Sequence, residues 1–248
     1  MKFARRLFFT LIAFLSVDGV ARADFRVPPD CQQIILGIAS DWNTSSATLR
    51  LYEKRNGVWQ AASDPWTNRL GKSGLAWGRG IHPDRLSGPS KKEGDGRTPA
   101  GVFELGGAYG YPQSIQKKSS LPYLSVTPAD LWVEDSSSPY YNRHIRLNSA
   151  GPTSGWEQEQ QMRQNDSAHR LKLFIKHNAE PDIKPKAGSA IFFHVWRMGG
   201  NRATTGCTVM SINRLEEMIA WVDPQLNPLY VILPKKVYEK YRDRWQLP

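Results

Sequence analysis

Six short segments of strand-forming residues limit what this chain can fold into. They cover residues 33–39, 47–52, 101–105, 171–177, 190–196 and 229–233, and each is rich in β-branched, aromatic or leucine residues. Glycines and prolines punctuate the intervals between them, as is typical of strands joined by turns. Segments this short are strands rather than helices. The pattern predicts a mainly β domain with peripheral helices and long loops.

Helices are predicted near the C-terminus. Ser211 is a suitable N-cap, apolar residues recur at helical spacing from Ile212 to Val222, and Asp223-Pro224 ends the pattern. A more polar helix is predicted over 236–245. Residues 66–99 and 136–167 are predicted as long loops, the second with a helical segment over 156–162. Such loops either line or cover a substrate groove or merely decorate the surface.

The N-terminal 23 residues have the layout of a secretory signal peptide. Three basic residues precede an apolar run over 7–17, and Ala21-Arg22-Ala23 supplies small residues for cleavage. A run of about 11 residues is too short to cross a bilayer, which needs roughly 20. We expect cleavage after Ala23, with an uncleaved anchor as the alternative. Residues 24–248 would then form one exported domain with a polar C-terminal segment, in the periplasm or cell envelope and not integral to the membrane.

The chain is basic, with 33 Lys and Arg against 23 Asp and Glu and a formal net charge of +10. Such an excess favours an anionic partner, such as a cell-wall polymer or a lipid surface, although a generally basic surface is an equal alternative. Nucleic acid is not an expected partner, because no basic run with interleaved aromatics and no nucleic-acid module signature occurs.

The chemistry centres on one histidine and one cysteine. His194 lies in Phe193-His194-Val195-Trp196, and Cys207 lies in Thr204-Thr205-Gly206-Cys207-Thr208-Val209-Met210. An imidazole near a thiol can remove its proton and generate a strong nucleophile. Strand alternation puts His194 on one face with Phe192 and Trp196, where a structural role in the core is the alternative. A glycine before the nucleophile permits close backbone approach and unusual dihedral angles.

The remaining cysteine and histidines have weaker signals. Cys31 is expected to be a packed, unreactive thiol and Cys207 to be free, because a disulfide between them would consume the nucleophile. His177 shares a strand face with three apolar residues and is a candidate to approach the same end of the sheet; its alternative role is structural. The other histidines, at 82, 144 and 169, lack metal-ligand spacing. No metal or cofactor is predicted.

The order of His194 and Thr204-Thr205-Gly206-Cys207 resembles the catalytic signature of the L,D-transpeptidase family, the YkuD-like domain. Residues 92–103 resemble its second hallmark, a glycine-rich turn followed by Thr-Pro-x-Gly and a strand. Further similarities are Tyr141-Asn142, His177-Asn178 and residues 188–194. Together they cover about residues 33–234.

The chain departs from the family pattern at three positions. Thr205 stands where many members have histidine, Val209 where they have arginine or asparagine, and Val195 where glycine often follows the base. A branch of the family shares the first two departures, so we interpret them as marks of a subgroup. They leave the choice of acyl acceptor open.

The resemblance implies a β-sandwich or barrel-type catalytic domain that transfers acyl groups on peptidoglycan stem peptides through a thioester on Cys207. His194 would be the base, with a main-chain carbonyl near Val195 orienting its ring. Backbone N–H groups around Thr205, Gly206 and Cys207 would hold the oxyanion. Substrate-binding roles are expected for two further residues, His177 and Thr204.

The alternatives concern the acceptor and the class of protein. An amine from another stem peptide or a protein lysine would make the protein a transpeptidase, and water would make it an L,D-carboxypeptidase. The same chemistry on an existing cross-link would make it an amidase. A sortase-like arrangement of His144, Cys207 and Arg214 is less favoured, because the Thr-Leu-x-Thr-Cys pattern is missing. A catalytically silent wall-binding module is the remaining alternative.

Overall fold

The structure, a computed structural model, describes residues 25–84 and 86–248, so the predicted signal peptide lies outside the described residues. The helices in the described part are α1 (Gly155–Glu159), α2 (Ile212–Trp221) and α3 (Lys235–Trp245). The strands there are β1 (Gln33–Ala39), β2 (Ser46–Arg55), β3 (Val58–Ala61), β4 (Trp66–Arg69), β5 (Leu75–Trp77), β6 (Thr98–Gly110), β7 (Tyr123–Ser125), β8 (Asp130–Trp132), β9 (His144–Arg146), β10 (Leu171–Ile175), β11 (Phe192–Val195), β12 (Thr208–Met210) and β13 (Leu229–Pro234).

Eight strands close into one ring. Their order is β1-β13-β6-β10-β11-β12-β4-β2, and β2 pairs back onto β1. Two of these pairings are parallel, β1 with β13 and β11 with β12, and the others are antiparallel. Closure of the ring leaves its strands without a free edge. The predicted mainly β fold is confirmed, and its form is barrel-like.

The ring separates two apolar clusters. The main core includes Phe193 and Tyr230, whose ring centroids lie 4.5 Å apart. A smaller cluster on the other face of β10 and β11 contains Phe174 and Phe192, packed with Trp132 from the β8–β9 hairpin. Because residues of a strand alternate between its faces, β10 and β11 contribute to both clusters. The candidate site lies next to this smaller cluster.

Helices α2 and α3 contribute to the main core. Leu215, Met218 and Ile219 of α2 are buried, and this helix packs against β10 and β11. The predicted N-cap is confirmed, since the Ser211 hydroxyl accepts a hydrogen bond from the Arg214 N–H. None of the helices in the described part of the chain has the length and hydropathy needed to span a bilayer.

The prediction of long loops over 66–99 and 136–167 was incomplete. The first segment contains β4 and β5, and the second contains β9, while the helical segment predicted over 156–162 is present as the short helix α1. These elements have three to five residues each. Strands this short form because a neighbouring strand supplies their hydrogen-bond partners, as β2 does for β4, so local composition hardly marks them.

Candidate active site

A cleft of about 540 Å³ lies on the outer face of β10, β11 and β12. His194 and Cys207 both line it, so the structure brings the predicted base and nucleophile to one site. The predicted residues Thr204, Thr205 and Gly206 also line it. Trp132, Glu134 and residues 160–162 form the opposite wall. A cleft of this size is in the range of small-molecule and peptide sites.

Cys207 sits immediately before β12, with its sulfur held by the loop that leads into β11. The thiol donates to the Ala190 carbonyl at 3.3 Å, and the Phe192 N–H donates to Sγ at 3.5 Å. Burial raises the pKa of the Cys207 thiol to about 11, although the Phe192 N–H and the charge of Lys172 oppose the shift. The resting Cys207 side chain is therefore a neutral thiol.

His194 is held in one tautomer by its own backbone. Its Nδ1 lies 2.9 Å from the Val195 carbonyl oxygen, which accepts a hydrogen bond and therefore leaves Nε2 with a free lone pair. Burial lowers the pKa of His194 to about 3, and the neighbouring His169 contributes to the shift. Pairing of β11 with β12 sets His194 opposite Val209, two residues beyond Cys207. The imidazole is neutral at rest and can accept one proton at Nε2.

The predicted alternation along residues 190–196 holds within β11 and fails after it. Phe193 and Val195 belong to the main core, whereas Phe192 and His194 line the cleft. Trp196 packs against the main core rather than on the face of His194. The reason is that β11 ends at Val195, and the pleat that imposes alternation ends with it.

A second histidine, which the sequence did not single out, stacks on the first. The rings of His169 and His194 are 5.0 Å apart and inclined by 27°. His169 Nδ1 lies 2.8 Å from one carboxylate oxygen of Asp166. The other carboxylate oxygen of Asp166 accepts a hydrogen bond from Arg197 at 2.6 Å. These hydrogen bonds fix the plane of the His169 ring, and the stacked His169 ring limits tilting of His194. The short spacing of Asp166 and His169 was the only sequence signal available.

The loop before the nucleophile is organised by Thr204. Its Oγ1 accepts from the Gly206 N–H at 3.0 Å and donates to the Cys207 carbonyl at 2.7 Å. The Gly206 N–H is thus already engaged. Within the described residues, the Thr205 and Cys207 N–H groups have no hydrogen-bond partner. These two amides are the donors that remain for an oxyanion.

Close packing explains the glycine at position 206. A Cβ there would lie 3.1 Å from Ile191 Cδ1 and 3.2 Å from the Arg97 carbonyl oxygen. Gly206 does not have a positive φ, in contrast to the nearby Gly94 and Gly96. The glycine's freedom of dihedral angles is therefore not used here, and the constraint is steric.

The glycine-rich turn of residues 92–97 supports the nucleophile loop. The Asp95 carboxylate accepts from the backbone N–H groups of Lys92 and Arg97, at 2.8 and 2.9 Å. The Arg97 guanidinium donates to the carbonyls of Trp42 and Leu75. The turn thereby carries Lys91, Glu93 and Gly94 to the rim of the cleft.

Asn142 ties the opposite wall to the nucleophile side. Its Nδ2 donates to the carbonyls of His177 and Asn178 at 3.1 and 2.8 Å. Its Oδ1 accepts from Trp132 Nε1 at 3.0 Å and from the Ala190 N–H at 2.9 Å. Because the Ala190 carbonyl accepts the thiol, this one buried amide helps to fix the position of the nucleophile.

The structure does not bring His177 to the cleft. Its side chain is fully buried, and it does not line the cleft. Nδ1 accepts from the Arg79 N–H at 3.1 Å, and Nε2 donates to the Ala187 carbonyl at 3.0 Å. Burial lowers the pKa of His177 to about 3. Its substrate-binding role stays a prediction, and its contacts are those of a structural residue.

Cations outnumber carboxylates along the cleft. The lining contains Lys72, Lys91, Lys172, Arg197 and Arg202, against Glu93 and Glu134. Two of the cations are paired, Lys91 with Asp95 at 2.6 Å and Arg197 with Asp166 at 2.6 Å. The cleft therefore favours an anionic ligand.

Two carboxylates, Glu93 and Glu134, also line the cleft. Glu93 accepts hydrogen bonds from Ser189 Oγ, at 2.8 Å, and from the Tyr141 hydroxyl. Glu134 opens onto the cleft but is surrounded by protein, and this poor solvation, with the charge of Glu93, raises its pKa to about 7. An ammonium group of a ligand would find a counter-charge here.

Other candidate residues lie outside the cleft. His144 pairs with Asp130 and Arg214 with Glu217, so neither lines the site as a sortase-like arrangement would require. Cys31 is a free, buried thiol whose pKa burial raises to about 12, and Cys207 is also free, as expected. Among the described residues, no group of His, Cys, Asp and Glu side chains could hold a metal ion.

Comparison with known proteins gives a family. The model of YkuD, the L,D-transpeptidase catalytic domain, matches residues 39–231. The crystal structure of the helical cell shape determining protein Pgp2 from Campylobacter jejuni aligns with a TM-score of 0.43 and 17% identity, over 82% of this chain and 48% of that one. A variant of the same protein aligns with a TM-score of 0.39 and 16% identity, over 82% and 47%. The chain thus spans about half the length of these structures. No curated protein matches it.

Proposed function

Since the chain belongs to the YkuD family of L,D-transpeptidase catalytic domains, we propose that it is a cysteine-dependent acyl transferase acting on peptidoglycan stem peptides. The observation that carries this proposal is the position of His194 and Cys207 in one cleft, with the Nδ1 of His194 turned to a backbone carbonyl. The predicted signal peptide over residues 1–23 supports action in the periplasm or cell envelope.

The first half-reaction forms a thioester. As Sγ of Cys207 attacks the carbonyl of the diaminoacyl residue, its proton passes to Nε2 of His194. The oxyanion accepts hydrogen bonds from the N–H groups of Thr205 and Cys207, and one such donor contributes about 3 to 4 kcal/mol in comparable sites. His194 then returns the proton to the amine of the departing D-alanine, and the C–N bond breaks.

The second half-reaction transfers the acyl group. An incoming amine loses a proton to His194 and attacks the thioester, which releases the Cys207 thiol and forms an amide. The cationic lining of the cleft supports binding of the carboxylates of a stem peptide, and Glu93 and Glu134 support binding of its ammonium group. Water in place of the amine would give a carboxypeptidase.

Purified protein incubated with disaccharide tetrapeptide tests the proposal by product mass. We expect loss of D-alanine with a cross-linked dimer for an amine acceptor, and loss of D-alanine alone for water. Cys207→Ala and His194→Ala should each lower turnover at least about 1,000-fold, while the buried-thiol control Cys31→Ala should retain it. Near-normal turnover in either site variant would contradict the assigned roles.

A second measurement addresses the catalytically silent alternative. A carbapenem acylates a reactive active-site thiol without needing an acceptor. We expect one covalent adduct that maps to Cys207 by peptide mass. Wild-type protein that neither forms this adduct nor changes the tetrapeptide would favour a silent wall-binding module.

A further inference from the structure

A buried lysine stands directly beside the catalytic histidine. Lys172 of β10 is the cross-strand partner of His194 of β11, so both side chains emerge on the same face of the sheet. Lys172 is only 4% exposed and lines the cleft with His194 and Cys207. The sequence did not single it out, because strand alternation gives the face of Lys172 but not what covers that face.

The Lys172 ammonium is poorly compensated by its surroundings. Nζ donates to the Met162 carbonyl at 3.0 Å and lies 5.4 Å from the centre of the Phe192 ring. Within the described residues it forms no ion pair with a carboxylate. A buried charge without a counter-ion costs stability. A buried charge at this position therefore indicates a functional role for Lys172.

The group near Lys172 on which negative charge would develop during the reaction is Cys207. Burial lowers the pKa of Lys172 to about 8, and Cys207 opposes this shift more than Glu134 or Asp166 does. From the side of the thiol, Lys172 and Lys91 lower its pKa, while Glu134 raises it. The imidazole of His194 is surrounded by His169, Lys172 and Arg197, all of which disfavour its cationic form.

We propose that Lys172 is a positioning residue whose ammonium stabilises the negative charge that develops on Cys207 Sγ, and so makes the thiol reactive near neutral pH. The inference rests on the proposed role of Cys207 as nucleophile. In the step concerned, the S–H bond breaks, its electron pair stays on sulfur, and the proton forms a bond with Nε2 of His194.

The test is the rate of Cys207 alkylation by iodoacetamide as a function of pH, measured by intact mass. Lys172→Met keeps the length of the side chain and removes its charge. The matched control is Lys176→Met. Lys176 lies just beyond β10, is half-exposed and pairs with Glu104. Cys207→Ala reports any background from the buried Cys31.

We expect Lys172→Met to react about tenfold more slowly than wild type at pH 7, which corresponds to one unit of thiol pKa. Lys172 loses its proton above pH 8, so the two rates should converge between pH 8 and pH 10. Lys172→Arg, which stays charged, should react like wild type at pH 7. Equal rates for wild type and Lys172→Met at pH 7, or a rate ratio that does not change with pH, would overturn the proposal.

Thermal unfolding separates this role from a purely structural one. Because Lys172→Met removes a poorly compensated charge, its melting temperature should equal or exceed that of wild type. A fall larger than that of Lys176→Met would make Lys172 a structural residue and also overturn the proposal. Alkylation needs no peptidoglycan, so a protein that shows the expected pH profile but leaves stem peptides unchanged would contradict the proposed function and not this inference.

Discussion

Asn142→Leu is the substitution that best tests the link between fold and site. Asn142 is 3% exposed, and its amide makes all four of the hydrogen bonds described above. Leucine fills a similar volume and can make none of them. At about 1 kcal/mol net for each bond, the loss is about 4 kcal/mol, and the stranded partner groups add to it. This is a large share of the roughly 5 to 15 kcal/mol that stabilises a domain.

The assay is urea unfolding followed by tryptophan fluorescence, with the midpoint compared at constant slope. Asn142 has a left-handed backbone, with φ of 56°, which leucine tolerates poorly. Asn165→Leu controls for this cost, because Asn165 has φ of 54° but is exposed, and its side chain accepts from Arg163.

The variant should also lose turnover under conditions where it is still folded, because the Ala190 N–H is no longer anchored and its carbonyl holds the thiol. If Asn142→Leu is destabilised by less than about 1 kcal/mol more than Asn165→Leu, the hydrogen bonds do not contribute as this reasoning requires.

Two further predictions concern the close packing at Gly206 and the buried imidazole of His177. Gly206→Ala should lower turnover about 10- to 100-fold, because the added Cβ displaces the nucleophile loop. Gly155→Ala is the control and should not lower turnover, because Gly155 has open space around it. Equal turnover in both variants would contradict the steric argument. Burial lowers the pKa of His177 to about 3 from 6.5, so only the unfolded state takes up its proton in that window. The free energy of unfolding should therefore fall by about 1.4 kcal/mol per pH unit for each such histidine as pH drops below 6.5. His177→Gln should reduce this slope by the contribution of one histidine, measured by urea unfolding between pH 4.5 and 7. An unchanged slope would contradict the prediction.

Local patterns predicted the parts of the fold that are set by neighbouring residues. β1 spans the residues predicted for it, and α2 begins after the predicted cap, because alternation and capping act over a few positions. The three-residue strand β12 was not predicted as a strand, although it carries the register that sets Val209 opposite His194. It exists because β11 and β4 supply its partners, and β4 lies far away in the sequence.

The same division applies to the site. The sequence by itself determined the order of the motif and predicted a nucleophile and its base there, because Thr204 to Cys207 lie within one short loop and His194 lies one strand before it. Only the tertiary structure decided that Lys172 lies opposite His194, because the register between β10 and β11 is not set by the residues of either strand alone. It also decided that His177 lies away from the cleft, because the cleft is on the face of β10 that carries Lys172, whereas His177 packs against Phe103 of the main core. A hydrogen bond or a buried charge depends on which atoms meet in space, and that is settled by packing.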